Sequence, residues 1–94
     1  MSAEVVRMEP AEVLDAFRDC GAIMSGHFVL TSGRHSDTYM QCARVLEDPA
    51  LTTRLAEAVA ERVRHLNVDV VAAPAVGGII IGFAVAQALG LRFI

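Results

Sequence analysis

Apolar residues recur with a helical period in the first part of the chain. Val13, Leu14, Phe17 and Cys20 share one face of residues 10–20, a segment that opens on Pro10, tolerated in a first helical turn, and meets Gly21 where a helix would stop. The spacing predicts an amphipathic helix. The period then changes. Residues 26–30 and 36–42 predict two short extended segments, joined by Thr31-Ser32-Gly33-Arg34-His35, which supply the small and turn-forming side chains of a hairpin connection. At Asp48-Pro49 the helical pattern returns, with aspartate as N-cap and proline at the first helical position. Leu51, Leu55, Val59, Val63 and Leu66 carry it to about Asn67.

No charged residue lies between Asp69 and Arg92, a run long enough to cross a bilayer as one helix. Pro74 and the pair Gly77-Gly78 interrupt it, and Val68, Val70 and Val71 before the proline are β-branched. The run therefore predicts a buried strand over residues 68–73, a loop over 74–77, a buried helix over 78–89 closed by Gly90, and a further strand opening at Leu91. Strand, crossover helix and strand in succession form a right-handed β-α-β unit, which places the chain in the α/β class with a parallel sheet. Two strands leave such a sheet with open faces and edges. The expectation is the N-terminal portion of a domain of about 150–250 residues, incomplete at its C-terminus. Residues 1–45 would form its N-terminal helix and a small hood, and residues 46–94 the start of its parallel core.

Composition narrows the function classes. At 94 residues and 10.1 kDa the chain holds one domain at most, and 54% apolar against 20% charged residues excludes a wholly disordered segment. All 8 basic residues are arginine and the net charge is −3, so the broad basic patch of a nonspecific nucleic-acid binder is missing. Met1-Ser2-Ala3-Glu4 lacks the basic start of a signal peptide and no early apolar core follows, which makes the cytoplasm the expected location. Cys20 and Cys42 have no CxxC or Cys/His spacing and are expected to be reduced, partly buried thiols. Neither G-x-S-x-G nor H-E-x-x-H occurs, and Glu47-Asp48 precedes a helix where acids stabilise the dipole. No catalytic residue and no metal ligand is assigned.

Two places remain for chemistry. The first is Pro74-Ala75-Val76-Gly77-Gly78, between strand and helix. Ligands of open α/β sheets bind at the carboxyl ends of the strands, where glycines let backbone N–H groups approach an anion such as a phosphate or diphosphate. A Gly-Gly at such a turn serves packing equally well. The second place is the polar loop Ser32-Gly33-Arg34-His35-Ser36-Asp37-Thr38-Tyr39. Arg34 offers a bidentate grip on carboxylate or phosphate, and Tyr39 a flat face for a planar ring. The plain alternatives are an Arg34–Asp37 ion pair and a packing tyrosine. His35 is expected to be a solvated loop histidine, and His27 and His65 have no chemical partner along the sequence.

Together these residues are familiar. G-H-F-V-L-T-S-G-R-H-S from Gly26 to Ser36, then Tyr39, then D-V-V-A-A-P-A-V-G-G-I-I-I-G from Asp69 to Gly82 resemble the orotate phosphoribosyltransferase family. In that family a hood segment bearing S-G-R-x-S precedes a strand that ends in a pyrophosphate loop. The resemblance spans residues 21–94 and implies a type I phosphoribosyltransferase fold, Rossmann-like with a small hood. It also implies transfer of the phosphoribosyl group from phosphoribosyl pyrophosphate to orotate, with Mg²⁺, in pyrimidine synthesis, by an enzyme that is a homodimer when full length. Carried over residue by residue, it makes Thr31 and Arg34 border the substrate site, sets Tyr39 and Met40 against the orotate ring, and puts Val76, Gly77 and Gly78 in the pyrophosphate loop. Some members carry lysine where this chain has Thr31 and Gly77. The mobile loop and the 5′-phosphate loop of the family have no counterpart in these residues, so the chain alone is expected to be inactive. The competing readings are a non-catalytic regulator of the same fold that senses the pyrophosphoryl sugar, and a small membrane-anchored protein using residues 70–91.

Overall fold

The computed structural model describes residues 8–94, so the expectation resting on Met1-Ser2-Ala3-Glu4 lies outside the described residues. Helix α1 (Pro10–Asp19) starts at the expected proline. The backbone N–H of Glu9 donates to Oε1 of Glu12 at 3.5 Å, and Gly21 follows in a left-handed conformation. Val13, Phe17 and Cys20 are half-buried, whereas Leu14 is exposed. Strands β1 (Ile23–Val29) and β2 (His35–Met40) pair antiparallel, with Ile23 opposite Met40 and Val29 opposite His35. The ladder shifts register between Ser25 and Phe28, a bulge that gives β1 one extra residue. The turn closes through Leu30 N–H to Arg34 O and Gly33 N–H to Leu30 O, each 2.8 Å, with Gly33 at φ +83°.

The extended segment expected to reach Cys42 ends at Met40. Cys42 instead opens a one-turn helix, α2 (Cys42–Leu46), whose Val45 is fully buried. Cys, Ala, Arg, Val and Leu are too few residues to show a period, so this helix left no pattern to detect. Both cysteines are free, but only Cys20 is half-buried; Cys42, at the start of α2, is exposed, against expectation.

Helix α3 (Pro49–Val63) begins where the Asp48-Pro49 pair predicts. Oδ1 of Asp48 accepts from the N–H groups of Ala50 at 3.0 Å and Leu51 at 3.2 Å, satisfying two donors that a helix start leaves open. A 3₁₀ turn (Arg64–Leu66) continues it to Asn67, which ends the element at φ +52°. The face buried deepest is that of Thr52, Ala56 and Ala60, spaced by four, and not that of Leu55 and Val59. Small side chains there let α3 close on α4 (Ile79–Leu89), whose buried residues Gly82, Val85 and Ala86 are small as well.

Strands β3 (Val70–Val71) and β4 (Arg92–Phe93) pair in parallel, Val70 with Arg92 and Val71 with Phe93, on either side of α4. This is the expected β-α-β unit. The ladder is shorter than residues 68–73 allow, because its partner is itself short; Ile94 N–H to Val71 O at 3.0 Å and Ala73 N–H to Ile94 O at 3.4 Å extend it past the strand ends. Phe93 meets Phe83 edge-on at 6.4 Å between ring centroids, fastening sheet to helix. The expected burial of strand and helix is not met: Val70 is exposed, and α4 turns Ile80 and Phe83 outward, Phe83 at 58% exposure. One helix covers one side of a two-stranded sheet, and a single helix neighbour covers one side of α4. Among the described residues no helix is long and apolar enough to cross a membrane.

Candidate functional site

The glycine loop sits where an α/β sheet offers it, past the carboxyl end of β3. Its two glycines differ in what they do. A Cβ on Gly78 would stand 2.8 Å from the carbonyl oxygen of Pro74 and 3.0 Å from Cβ of Ala73, so this glycine serves the close turn into α4. A Cβ on Gly77 would meet nothing within 4 Å. Packing therefore accounts for Gly78 and leaves Gly77 to another cause. The backbone follows the same division: Gly78 N–H donates to Pro74 O at 3.0 Å and Ile79 N–H to Val76 O at 3.2 Å. Among the described residues the N–H groups of Ala75, Val76 and Gly77 donate to no backbone carbonyl, and all three residues are exposed, Val76 at 82%. Three successive donors without a backbone acceptor thus precede the helix, the kind of group that a phosphate oxygen can accept from.

Gly77 also lines a groove of about 650 Å³ beneath α1, α2 and α3, with Phe17, Leu55 and Val59 among its apolar walls. Among the described residues Arg62 is the one charged residue in that lining, and its Nη2 donates to Met8 O at 3.3 Å. Arg62 is not among the residues that the sequence motifs single out. Its signal was present: it lies three and seven residues after Val59 and Leu55, on the same helical face, where an apolar stripe would otherwise continue.

The hairpin holds the other candidates. Thr31 and Arg34 lie in the exposed turn, and the backbone N–H of Arg34 donates to Oγ of Ser32 at 3.4 Å. The Arg34–Asp37 ion pair is not formed: Oδ1 of Asp37 accepts from Oγ1 of Thr38 at 3.1 Å instead, and among the described residues the Arg34 guanidinium has no carboxylate partner. Its donors are open to a ligand. Tyr39 packs against Phe28 at 5.5 Å between centroids, tilted by 32°, yet keeps 39% of its surface exposed. Met40 beside it is exposed too. No hydrogen bond or ion pair among the described residues joins the hairpin to the glycine loop; they are two separate surfaces on a body 47 × 27 × 22 Å.

His27 corrects its expectation. Nδ1 of His35 lies 2.9 Å from Nε2 of His27, so the histidine without a partner along the sequence has one across the hairpin. Register brings them together, the bulge after Ser25 placing His27 diagonally across from His35. His35 is exposed, as a loop residue would be, but is the first residue of a strand and is held by this contact.

Mg²⁺ prefers several oxygen ligands in octahedral array. Among the described residues no three His, Cys, Asp or Glu side chains gather to hold a metal, and Asp69, the acid nearest the glycine loop in sequence, precedes β3 at its opposite end. The donor set of these residues does not fit a protein-held Mg²⁺.

A parallel β-α-β unit with an open loop at its strand end, preceded by a capped helix and an antiparallel hairpin, defines part of a phosphoribosyltransferase α/β fold. Known structures agree. UMP synthase of Leishmania donovani superposes with a TM-score of 0.82 at 24% identity, over 92% of this chain and 19% of that one. An orotate phosphoribosyltransferase of Francisella tularensis superposes at 0.66 with 25% identity, over 84% and 40%. In sequence, orotate phosphoribosyltransferase of Desulforamulus reducens is 46% identical over 85 residues, 90% of this chain and 44% of the relative. No protein-family profile matches the chain. By sequence and by fold the chain is related to the orotate phosphoribosyltransferase family, and it spans less than half the length of the curated relatives it matches.

Proposed function

We propose that the chain carries the hood and the diphosphate loop of an orotate phosphoribosyltransferase. The enzyme would move the phosphoribosyl group of phosphoribosyl pyrophosphate onto orotate, releasing pyrophosphate and giving orotidine 5′-phosphate for pyrimidine synthesis. The observation that carries this reading is the exposed loop at the carboxyl end of β3, with open N–H groups on Ala75, Val76 and Gly77 and no packing role for Gly77. An N–H row of this kind suits a diphosphate leaving group, whose developing negative charge it stabilises without proton transfer. Gly78 shapes that row by turning the chain into α4. Arg34 would take the orotate carboxylate or a phosphate through paired hydrogen bonds. Tyr39 and Met40 would offer the pyrimidine ring a flat, partly apolar surface, and Thr31 would border it. Residues 1–45 would act as the hood and residues 46–94 as the start of the parallel core. Mg²⁺ would come with the substrate, on oxygens of the diphosphate itself. The proposed partners are the two small molecules and, for the whole enzyme, a second copy; nucleic acid and membrane are not among them, and the proposed compartment is the cytoplasm.

Two assays of pyrophosphate release from orotate and phosphoribosyl pyrophosphate test the reading. The 94-residue chain alone should give none, since one arginine and three backbone donors cannot hold both ends of the sugar phosphate. Turnover by the chain alone would show the essential groups to be wrongly placed. A hybrid in which this chain replaces the matching 85 residues of the Desulforamulus reducens relative should release pyrophosphate. A folded hybrid that binds neither substrate overturns the proposal.

A further inference from the structure

The hairpin brings two imidazoles together edge to face, with a ring nitrogen of each turned to the other. Nδ1 of His35 and Nε2 of His27 are 2.9 Å apart, the ring centroids are 4.8 Å apart, and the planes cross at 72°. Both side chains are exposed, so an ion reaches them without opening the fold. One of the facing nitrogens carries the proton of the present contact. When that proton moves to the outward nitrogen of its own ring, both facing nitrogens present lone pairs.

We propose that His27 and His35 form a bidentate site for a divalent transition metal that favours right-angled coordination, Ni²⁺ or Cu²⁺, independently of any phosphoribosyl chemistry. The present separation is compatible with such an ion. With metal–imidazole bonds of about 2.0–2.1 Å, a 2.9 Å separation subtends roughly 90° at the metal, the angle between neighbouring ligands of a square or octahedral ion. A tetrahedral Zn²⁺ would ask for about 3.3–3.4 Å with the same bonds. Mg²⁺ and Ca²⁺, which take oxygen ligands, are excluded by the donor type. Two features hold the pair in place before any ion arrives. The ladder fixes Val29 opposite His35, and His27 lies two residues before Val29, past the bulge after Ser25. Asp37, two residues further along β2, adds a negative charge to the same strand. Water or a ligand from solution fills the other positions, since among the described residues no third metal-ligating side chain joins the pair.

Calorimetric titration of the 94-residue chain with Ni²⁺ tests the site. One equivalent should bind, and His27→Ala and His35→Ala should each weaken binding at least tenfold, because either leaves a single imidazole. His65→Ala, on the 3₁₀ turn, and Cys42→Ser should leave the affinity unchanged, which separates the pair from a lone histidine or an exposed thiol. Saturating Ni²⁺ should also raise the melting temperature of the unsubstituted chain, a readout that needs no variant. An affinity that survives both histidine substitutions, or falls with Cys42→Ser instead, overturns the proposal. So does a melting temperature unmoved by Ni²⁺.

Discussion

Gly82 and Phe93 meet so closely that a Cβ on the glycine would stand 2.5 Å from Cε1 of the ring, with Cβ of Ala73 at 2.8 Å on the other side. The crossover helix lies directly on its own sheet at this point, and no side chain fits between them.

Gly82→Ala should therefore destabilise the chain although alanine is the better helix former. The helix gains about 0.8–1.0 kcal/mol in propensity, while forcing a methyl into a filled space costs about 1–3 kcal/mol. Overpacking wins, and urea unfolding should show a net loss on the order of 1 kcal/mol. An unchanged or higher midpoint would mean that α4 does not rest on β4 as described.

Thr52 makes the opposite case. It is buried in the α3–α4 seam, and among the described residues its Oγ1 has no hydrogen-bond partner. Replacing that hydroxyl by a methyl keeps the shape and removes the cost of an unsatisfied buried group, about 1–3 kcal/mol. Thr52→Val should raise the unfolding midpoint by the equivalent of roughly 1 kcal/mol. A fall would point to a partner for the hydroxyl in solution.

The cap on α3 is separable from both. Asp48→Ala removes the acceptor of two backbone bonds and should cost about 1 kcal/mol, while Asp48→Asn keeps an acceptor and should cost less. Circular dichroism during thermal unfolding ranks the three proteins; equal losses for alanine and asparagine would assign the effect to charge at the helix start instead of to the bonds.

Gly77 and Gly78 should part company under the same substitution. Gly77→Ala meets no atom and should leave stability within about 0.5 kcal/mol, whereas Gly78→Ala drives a methyl onto the Pro74 carbonyl and should unfold more easily. In the hybrid enzyme Gly77→Ala should raise the KM for phosphoribosyl pyrophosphate, because its methyl would stand where the anion approaches. Arg34→Gln, at an exposed position without an ion pair, should spare stability and weaken orotate binding. A Gly77→Ala hybrid with unaltered kinetics would remove the loop from the diphosphate site.

Local chemistry made some of this fold legible and geometry hid the rest. Asp48-Pro49, the Gly33 turn and Gly90 act within a few residues of themselves, and each stands in the structure where the sequence puts it. The β-α-β unit followed from Pro74 and Gly77-Gly78, which interrupt an uncharged run, and from the β-branched residues ahead of them. By contrast α2 is shorter than two turns and has no period to show. The seam of Thr52, Ala56 and Ala60 is buried because another helix comes close, which the size of those side chains permits but their hydrophobicity does not announce. For the candidate site, the split between Gly77 and Gly78 depends on where Pro74 and Ala73 lie in space. The His27–His35 contact depends on a bulge that shifts the ladder, and eight positions of separation along a chain say nothing of it. The family resemblance rested on whole motifs; the residues singly did not carry it.

Phe83 and Ile80 face outward from α4, and Leu46 and Pro49 share a depression with them, so an oily stripe runs along one flank of the molecule. Attraction between such stripes strengthens on warming and in sulfate. A concentrated preparation of this polypeptide should turn cloudy under those two conditions well before its helices melt, and clear again on chilling.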